Sequence, residues 1–93
     1  MHIVSHKRII EAGRDHPNDA ASLDGWYRTM KRAEANSFHE LRKLFPSVDR
    51  VGRFHIFNIA GNNLRLVAAI HFNRQKCYIR KILTHAEYDG WKP

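Results

Sequence analysis

Phe54 to Leu83 reads FHIFNIAGNNLRLVAAIHFNRQKCYIRKIL, and how this run divides decides the fold. Its residues are mostly β-branched, aromatic or aliphatic, and they are interrupted at Gly61-Asn62-Asn63 and again at Asn73-Arg74-Gln75, which are turn residues. The pattern predicts strands over RFHIFNI (53–59), LRLVAAIHF (64–72) and KCYIRKIL (76–83), preceded by a shorter one at SVDRV (47–51) that Gly52 sets apart. Links this short cannot hold a crossover, so neighbouring strands must run antiparallel. Alternation within the central strand sorts Leu64, Leu66, Ala68, Ile70 and Phe72 onto one face and Arg65, Val67, Ala69 and His71 onto the other. The first set is expected to pack on helices, and the second, half polar, is a candidate working surface.

Upstream the spacing changes to that of helices. HIVS is a short β-prone segment, with Ser5 positioned to cap a helix over HKRIIEAG that ends near Gly13. Pro17 suits the first position of a second helix, in which Ala20, Leu23, Trp26, Tyr27, Met30 and Ala33 recur at intervals of three and four. In SFHE, Ser37 and Glu40 have the spacing of a capping box, and the short helix that follows carries Phe38, Leu41, Leu44 and Phe45 before Pro46 stops it. The expectation is a single α+β domain over 1–93: a mostly antiparallel sheet with the N-terminal helices packed on one face.

Composition narrows the class. Sixteen Lys and Arg against nine Asp and Glu give a net charge of +7 and favour a polyanionic partner such as nucleic acid. The lone Cys77 cannot form an internal disulfide and lies in an apolar run, which suits a core position and a reducing compartment. No apolar stretch reaches the ~18–20 residues of a membrane span, so a cytoplasmic protein is expected. The seven histidines are dispersed along the chain with no Cys partner pattern, and no metal site or cofactor is expected.

The segment THAEYD, 84–89, follows the last strand. Thr84 and Glu87 again have capping-box spacing, so a helix should start there, with Tyr88 and Asp89 three and four residues after His85 and on the same face. The bland reading is a capped turn with Tyr88 packed on Trp91 and His85 exposed. The chemical reading is an RNA-cleaving site. RNA carries its own nucleophile in the 2′-OH, so cleavage needs a base, an acid and cations on the phosphate. A histidine such as His85 can serve as base or acid, Tyr88 can donate a proton or hydrogen bond, Asp89 can orient His85, and Arg65 and Arg80 can clamp the phosphate. Lys81, His71 and Asn62 are candidate RNA contacts, with a plain surface or half-buried position the alternative for His71; His55 faces the same choice, and a register step of one residue decides its side.

These residues also form a larger pattern. Phe57 to Asn62, Arg65, Tyr78 to Arg80 and Thr84 to Asp89 together resemble the HigB-type toxins of the RelE superfamily, and Trp26 with LRKLFPSVDRVG (41–52) is similar as well. One departure is AEANSF, where many relatives carry an aromatic near Ala35. The resemblance implies a RelE-like fold and an mRNA endoribonuclease that acts on translated messages in the ribosomal A site. It further implies a helix-turn-helix antitoxin as partner, with Arg65 and Arg80 as basic strand positions and His85, Tyr88 and Asp89 as the terminal motif. Base and acid are not assigned, because members of the superfamily use differing residue sets. The competing class is a basic RNA-binding or ribosome-associated module without turnover, which needs only the charged surface.

Overall fold

The computed structural model describes residues Met1–Pro93. In chain order the elements are β1 (His2–Val4), α1 (His6–Asp15), a 3-10 turn (Pro17–Asp19), α2 (Ala20–Arg32) and α3 (Phe38–Leu44). They are followed by β2 (Asp49–Val51), β3 (Phe54–Ile59), β4 (Leu64–His71), a second 3-10 turn (Phe72–Arg74), β5 (Lys76–Thr84) and α4 (His85–Asp89). The five strands form one sheet in the order β1-β5-β4-β3-β2. β2 to β5 are antiparallel, as their short links require, whereas β1 joins β5 in parallel across a connection that contains the rest of the chain.

Local signals hold in some places and fail in others. Ser5 is in the left-handed region at φ 77° and makes no side-chain capping bond, so the first helix lacks the expected cap; that helix also runs past Gly13 to Asp15. Pro17 opens the 3-10 turn and not α2 itself. At α3, Ser37 Oγ accepts from the Glu40 amide, but the Glu40 carboxylate accepts from Asn36 N–H, one residue before the cap, so the box is displaced. Leu44, one of the apolar residues of that short helix, is half exposed at 47%.

The helices cover one face of the sheet. Leu64, Leu66 and Ala68 of β4, Phe57 and Ile59 of β3, and Cys77 and Ile79 of β5 bury against Ile9, Ala12, Leu23, Trp26 and Met30. Trp26, Phe45 and Phe57 form the aromatic centre, with Phe57 edge-on to both at 5.2 and 5.1 Å. Ala35, where relatives of the resembled family often carry an aromatic, is 3% exposed, and its carbonyl accepts from Gln75 Nε2 at 2.8 Å. Cys77 is fully buried, and burial pushes its thiol up to about 12, so it stays protonated and inert.

His55 lies on this inner face and not in the candidate groove. It is opposite Ala68, its ring lies between Phe38 and Phe72 at 5.5 and 5.6 Å, and neither ring nitrogen has a partner. Burial first, and then Arg50 opposite it on β2, hold its pKa below the ordinary 6.5. The unfolded chain takes up a proton as the pH falls through 6.5, whereas the folded chain resists it. Stability carried by the neutral ring is therefore complete above that pH and is lost as the pH falls toward the lowered native value. His55→Leu is expected to stabilise by on the order of 1 kcal/mol at neutral pH, by removing unpaired buried polar atoms, and by more in mild acid. Urea unfolding at pH 7.5 and 5.5 checks this: equal stability loss in parent and variant would exclude His55 as the source.

Candidate active site

The other sheet face is built by β3, β4, β5 and the C-terminal segment. Arg65 on β4 pairs with Asn58 of β3 and Leu83 of β5, and Val67 with Ile56 and Lys81. This face is less open than alternation suggests, since Val67 and Ile56 are 0% and 2% exposed. Trp91 borders the recess above Val67 and meets Phe54 edge-on at 5.7 Å.

The β4–β5 register contains an irregularity. Val67 pairs with Lys81 and Ala68 with Ile79, so Arg80 is an extra residue without a partner. The effect of such a bulge is to re-aim side chains. Cys77 and Ile79 point to the helices before it, and Ile82 does so after it, while Arg80 and Lys81 both reach the other face. The sequence does hold this signal: inward apolar residues at 77, 79 and 82 break the two-residue period.

Arg65 is the hub of the first cluster. Its Nη1 donates to the Asn62 carbonyl at 3.0 Å, its Nη2 lies 3.4 Å from His85 Nδ1, and the guanidinium sits over the Tyr88 ring at 5.7 Å. The four-residue connection that presents Asn62 turns through two left-handed residues, Ala60 at φ 53° and Gly61 at φ 67°. The capping box at α4 is fully reciprocal: Thr84 Oγ1 accepts from Glu87 N–H at 3.2 Å, and the Glu87 carboxylate accepts from Thr84 N–H at 2.8 Å. The Thr84 backbone and side chain hold the Glu87 carboxyl below its usual range. So fixed, α4 places His85 Nε2 3.7 Å from Asp89 Oδ2. A guanidinium cannot accept a hydrogen bond, so His85 Nδ1 faces Arg65 with its lone pair, and the proton of the neutral ring is on Nε2, toward Asp89.

The THAEYD segment makes contacts of two kinds. Thr84 and Glu87 cap, and Tyr88 stacks on Trp91 at 5.8 Å, yet Arg65, His85, Tyr88 and Asp89 are also gathered into one exposed group. Arg80, Lys81 and His71 form a second group around a recess of about 520 Å³, with Arg80 over the Tyr78 ring at 5.3 Å and His71 edge-on to Tyr78 at 5.4 Å. Asn62 contributes its carbonyl to Arg65, with its side chain exposed. Arg53, Phe54 and Trp91 also line the recess, although the sequence pattern marks none of them as a groove residue and Trp91 only as a packing partner of Tyr88; the available signal is an aromatic in the tail DGWKP, just past a predicted helix.

The electrostatics of this face are one-sided. The ion pairs elsewhere join Lys7 to Glu11 and Arg28 to Asp24 on exposed helix surfaces, and none engages Arg53, Arg65, Arg80 or Lys81. These cations are available to an anion. No three of the His, Cys, Asp and Glu side chains converge as a metal ligand set, and no helix is long and apolar enough to cross a membrane.

A cationic groove with a histidine, a tyrosine and a carboxylate at its edge, on a mostly antiparallel sheet backed by helices, agrees with a RelE-like toxic component of a toxin-antitoxin system. The family profile with that description, the HigB toxin family, matches residues 19–91. The chain is 36% identical to an mRNA interferase HigB of Escherichia coli O6:H1 (strain CFT073) over 96% of its own length and 89% of the relative's. It is 35% identical to the mRNA interferase toxin HigB of Escherichia coli K12 and to an mRNA interferase HigB of Shigella flexneri, over 96% of its length and 88% of theirs. The chain belongs to the HigB toxin family.

Proposed function

We propose that this protein is a cytoplasmic endoribonuclease that cleaves mRNA during translation, in the ribosomal A site, and is held inactive by a helix-turn-helix antitoxin. Its relatives are named mRNA interferases. The observation that carries the reading is the Arg65 fork, which ties the Asn62 carbonyl and His85 Nδ1 to one guanidinium on the outer face of the sheet.

In the mechanism we infer, the scissile phosphate is bound by Arg65, with Arg80 and Lys81 further along the groove. A phosphate offers Arg65 a charged, bidentate partner, which outcompetes the long contact to a neutral imidazole. Substrate binding then frees the Nδ1 lone pair, which takes the 2′-OH proton as the oxygen attacks phosphorus. The imidazolium that forms has its Nε2–H toward Asp89, which stabilises the new charge. Arg65 and Arg80 stabilise the phosphorane dianion. In this reading Tyr88, in contact with Arg65 and Trp91, protonates the departing 5′-oxygen. The products are a 2′,3′-cyclic phosphate and a 5′-OH, and the electron pair of the broken P–O bond leaves with the 5′-oxygen.

No step in this sequence calls on a metal. Cleavage is expected to persist in EDTA in a ribosome-free assay, or with Mg²⁺ controlled separately where ribosomes are present, and end mapping should find 5′-OH on downstream fragments; 5′-phosphate ends would sink the mechanism. Mapping 5′ ends after brief expression, with translation running or blocked, tests the ribosome. Cleavage confined to translated frames supports the A-site reading. An antitoxin should co-purify when the adjacent open reading frame is co-expressed and should restore growth. Absence of cleavage in both settings would leave a basic RNA-binding module.

A further inference from the structure

The recess beside the Arg65–His85 cluster has a composition that a phosphate clamp alone does not need. Its floor is Val67 and Ala69, small apolar residues of β4, and one corner is formed by Trp91 and Phe54, whose rings meet at 69°. Arg53, Arg80 and Lys81 also line it, and no carboxylate does. Arg53 and Arg80 lie against the Phe54 and Tyr78 rings at 5.4 and 5.3 Å, which fixes both guanidinium groups near the walls. We propose that this recess is a nucleotide subsite: it takes the base of a nucleotide next to the scissile phosphate, stacked on the Trp91 indole, with that nucleotide's own phosphate on the cations. The inference rests on the ribonuclease reading for the identity of its ligand.

Three physical features select a nucleotide. The volume of about 520 Å³ lies within the range of small-molecule sites and holds a planar base with its sugar. An apolar ligand would leave the cations unpartnered, and inorganic phosphate would leave the aromatic corner unused; a nucleotide uses both. The position also fits a continuous strand. Val67 is two residues from Arg65 on the same face, ~7 Å along β4, a distance that one extended nucleotide spans. Trp91 stacks on Tyr88, which lies under Arg65, so one aromatic series connects the subsite to the candidate catalytic group. A base held here would set which phosphate meets His85 and would make Trp91, Ala69 and Arg53 determinants of cleavage register.

The test is titration of the purified protein with adenosine 5′-monophosphate, and separately with inorganic phosphate and with adenosine, while following the indole N–H signals of Trp91 and the buried Trp26 by NMR. The nucleotide should move the Trp91 signal and leave Trp26 unmoved, and it should bind at least about tenfold tighter than phosphate. Trp91→Ala should weaken it about 10–100-fold, the size of one lost base stack. Because Trp91 also covers Val67, a second variant, Ala69→Leu, fills the floor while keeping the indole and should weaken binding similarly. Equal affinity for phosphate and nucleotide, or nucleotide binding unchanged in Ala69→Leu, overturns the subsite. If the nucleotide binds as stated but the parent cleaves no RNA, the subsite stands and the ribonuclease reading falls. If RNA is cleaved while the nucleotide leaves Trp91 unmoved, the subsite alone falls.

Discussion

His85→Ala is expected to lower RNA cleavage by about 10²–10⁴-fold and to abolish growth arrest, with circular dichroism and thermal unfolding close to the parent's. The side chain is 60% exposed and its polar contacts are to Arg65 and Asp89, so its loss opens no cavity and leaves no buried group unpaired. The proposed base is the only imidazole in contact with Arg65, and substitution of any of the other six histidines should have far smaller effects on cleavage. A folded His85→Ala protein that is as toxic as the parent would remove His85 from the mechanism and make Tyr88 the next candidate.

Arg65→Lys is expected to cost about 10²–10³-fold in cleavage, the loss typical when a group stabilising developing charge is removed. The charge is kept, but the geometry is not. Arg65 reaches the Asn62 carbonyl with one nitrogen and His85 Nδ1 with another, and it spreads over the Tyr88 face; a lysine ammonium has one nitrogen and no plane. Steady-state cleavage of a short message, free or in the A site of programmed ribosomes, checks the size of the effect. A lysine variant with parental activity would mean that Arg65 acts as a point charge only. Arg65→Ala should then be inactive where Arg65→Lys is not, which separates charge from shape.

Much of this architecture was legible in the chain. The antiparallel order of β2 to β5 follows from links too short to cross over, and the faces of β4 follow from strict alternation of Leu64, Leu66 and Ala68 with Arg65 and Val67. The α4 capping box was readable because Thr84 and Glu87 can satisfy each other without help from elsewhere in the fold. What the chain left open or misstated depended on how its elements meet. Ser5 has cap chemistry but a left-handed backbone, set where the chain turns from β1 into α1. The side of His55 depended on strand register, which places it opposite Ala68 and against Phe38 and Phe72. The contact of Arg65 with His85 links residues twenty apart through the β4–β5 pairing, so no local pattern states it; likewise Trp91 joins the recess only because the tail folds back over the sheet.

The unpaired Arg80 gives β5 one residue more than its partner strand uses, and this has a consequence for how the groove can be altered. Exchanging the side chain and shortening the chain are different lesions at this point. Arg80→Ala removes a cation but keeps the parity of everything after it: Ile82 still faces the helices, and Lys81 still faces out. Deleting Arg80 removes the bulge itself: Ile79 stays opposite Ala68, Lys81 opposite Val67 and Thr84 opposite Leu64, now in simple alternation. What is lost is the local bend and extra twist that a bulge adds to its strand, and with them the placing of two consecutive cations on one face. In this chain the count of residues in β5 is itself part of the groove's design, since the extra residue lets Arg80 and Lys81 share a face that strict alternation would give to only one of them.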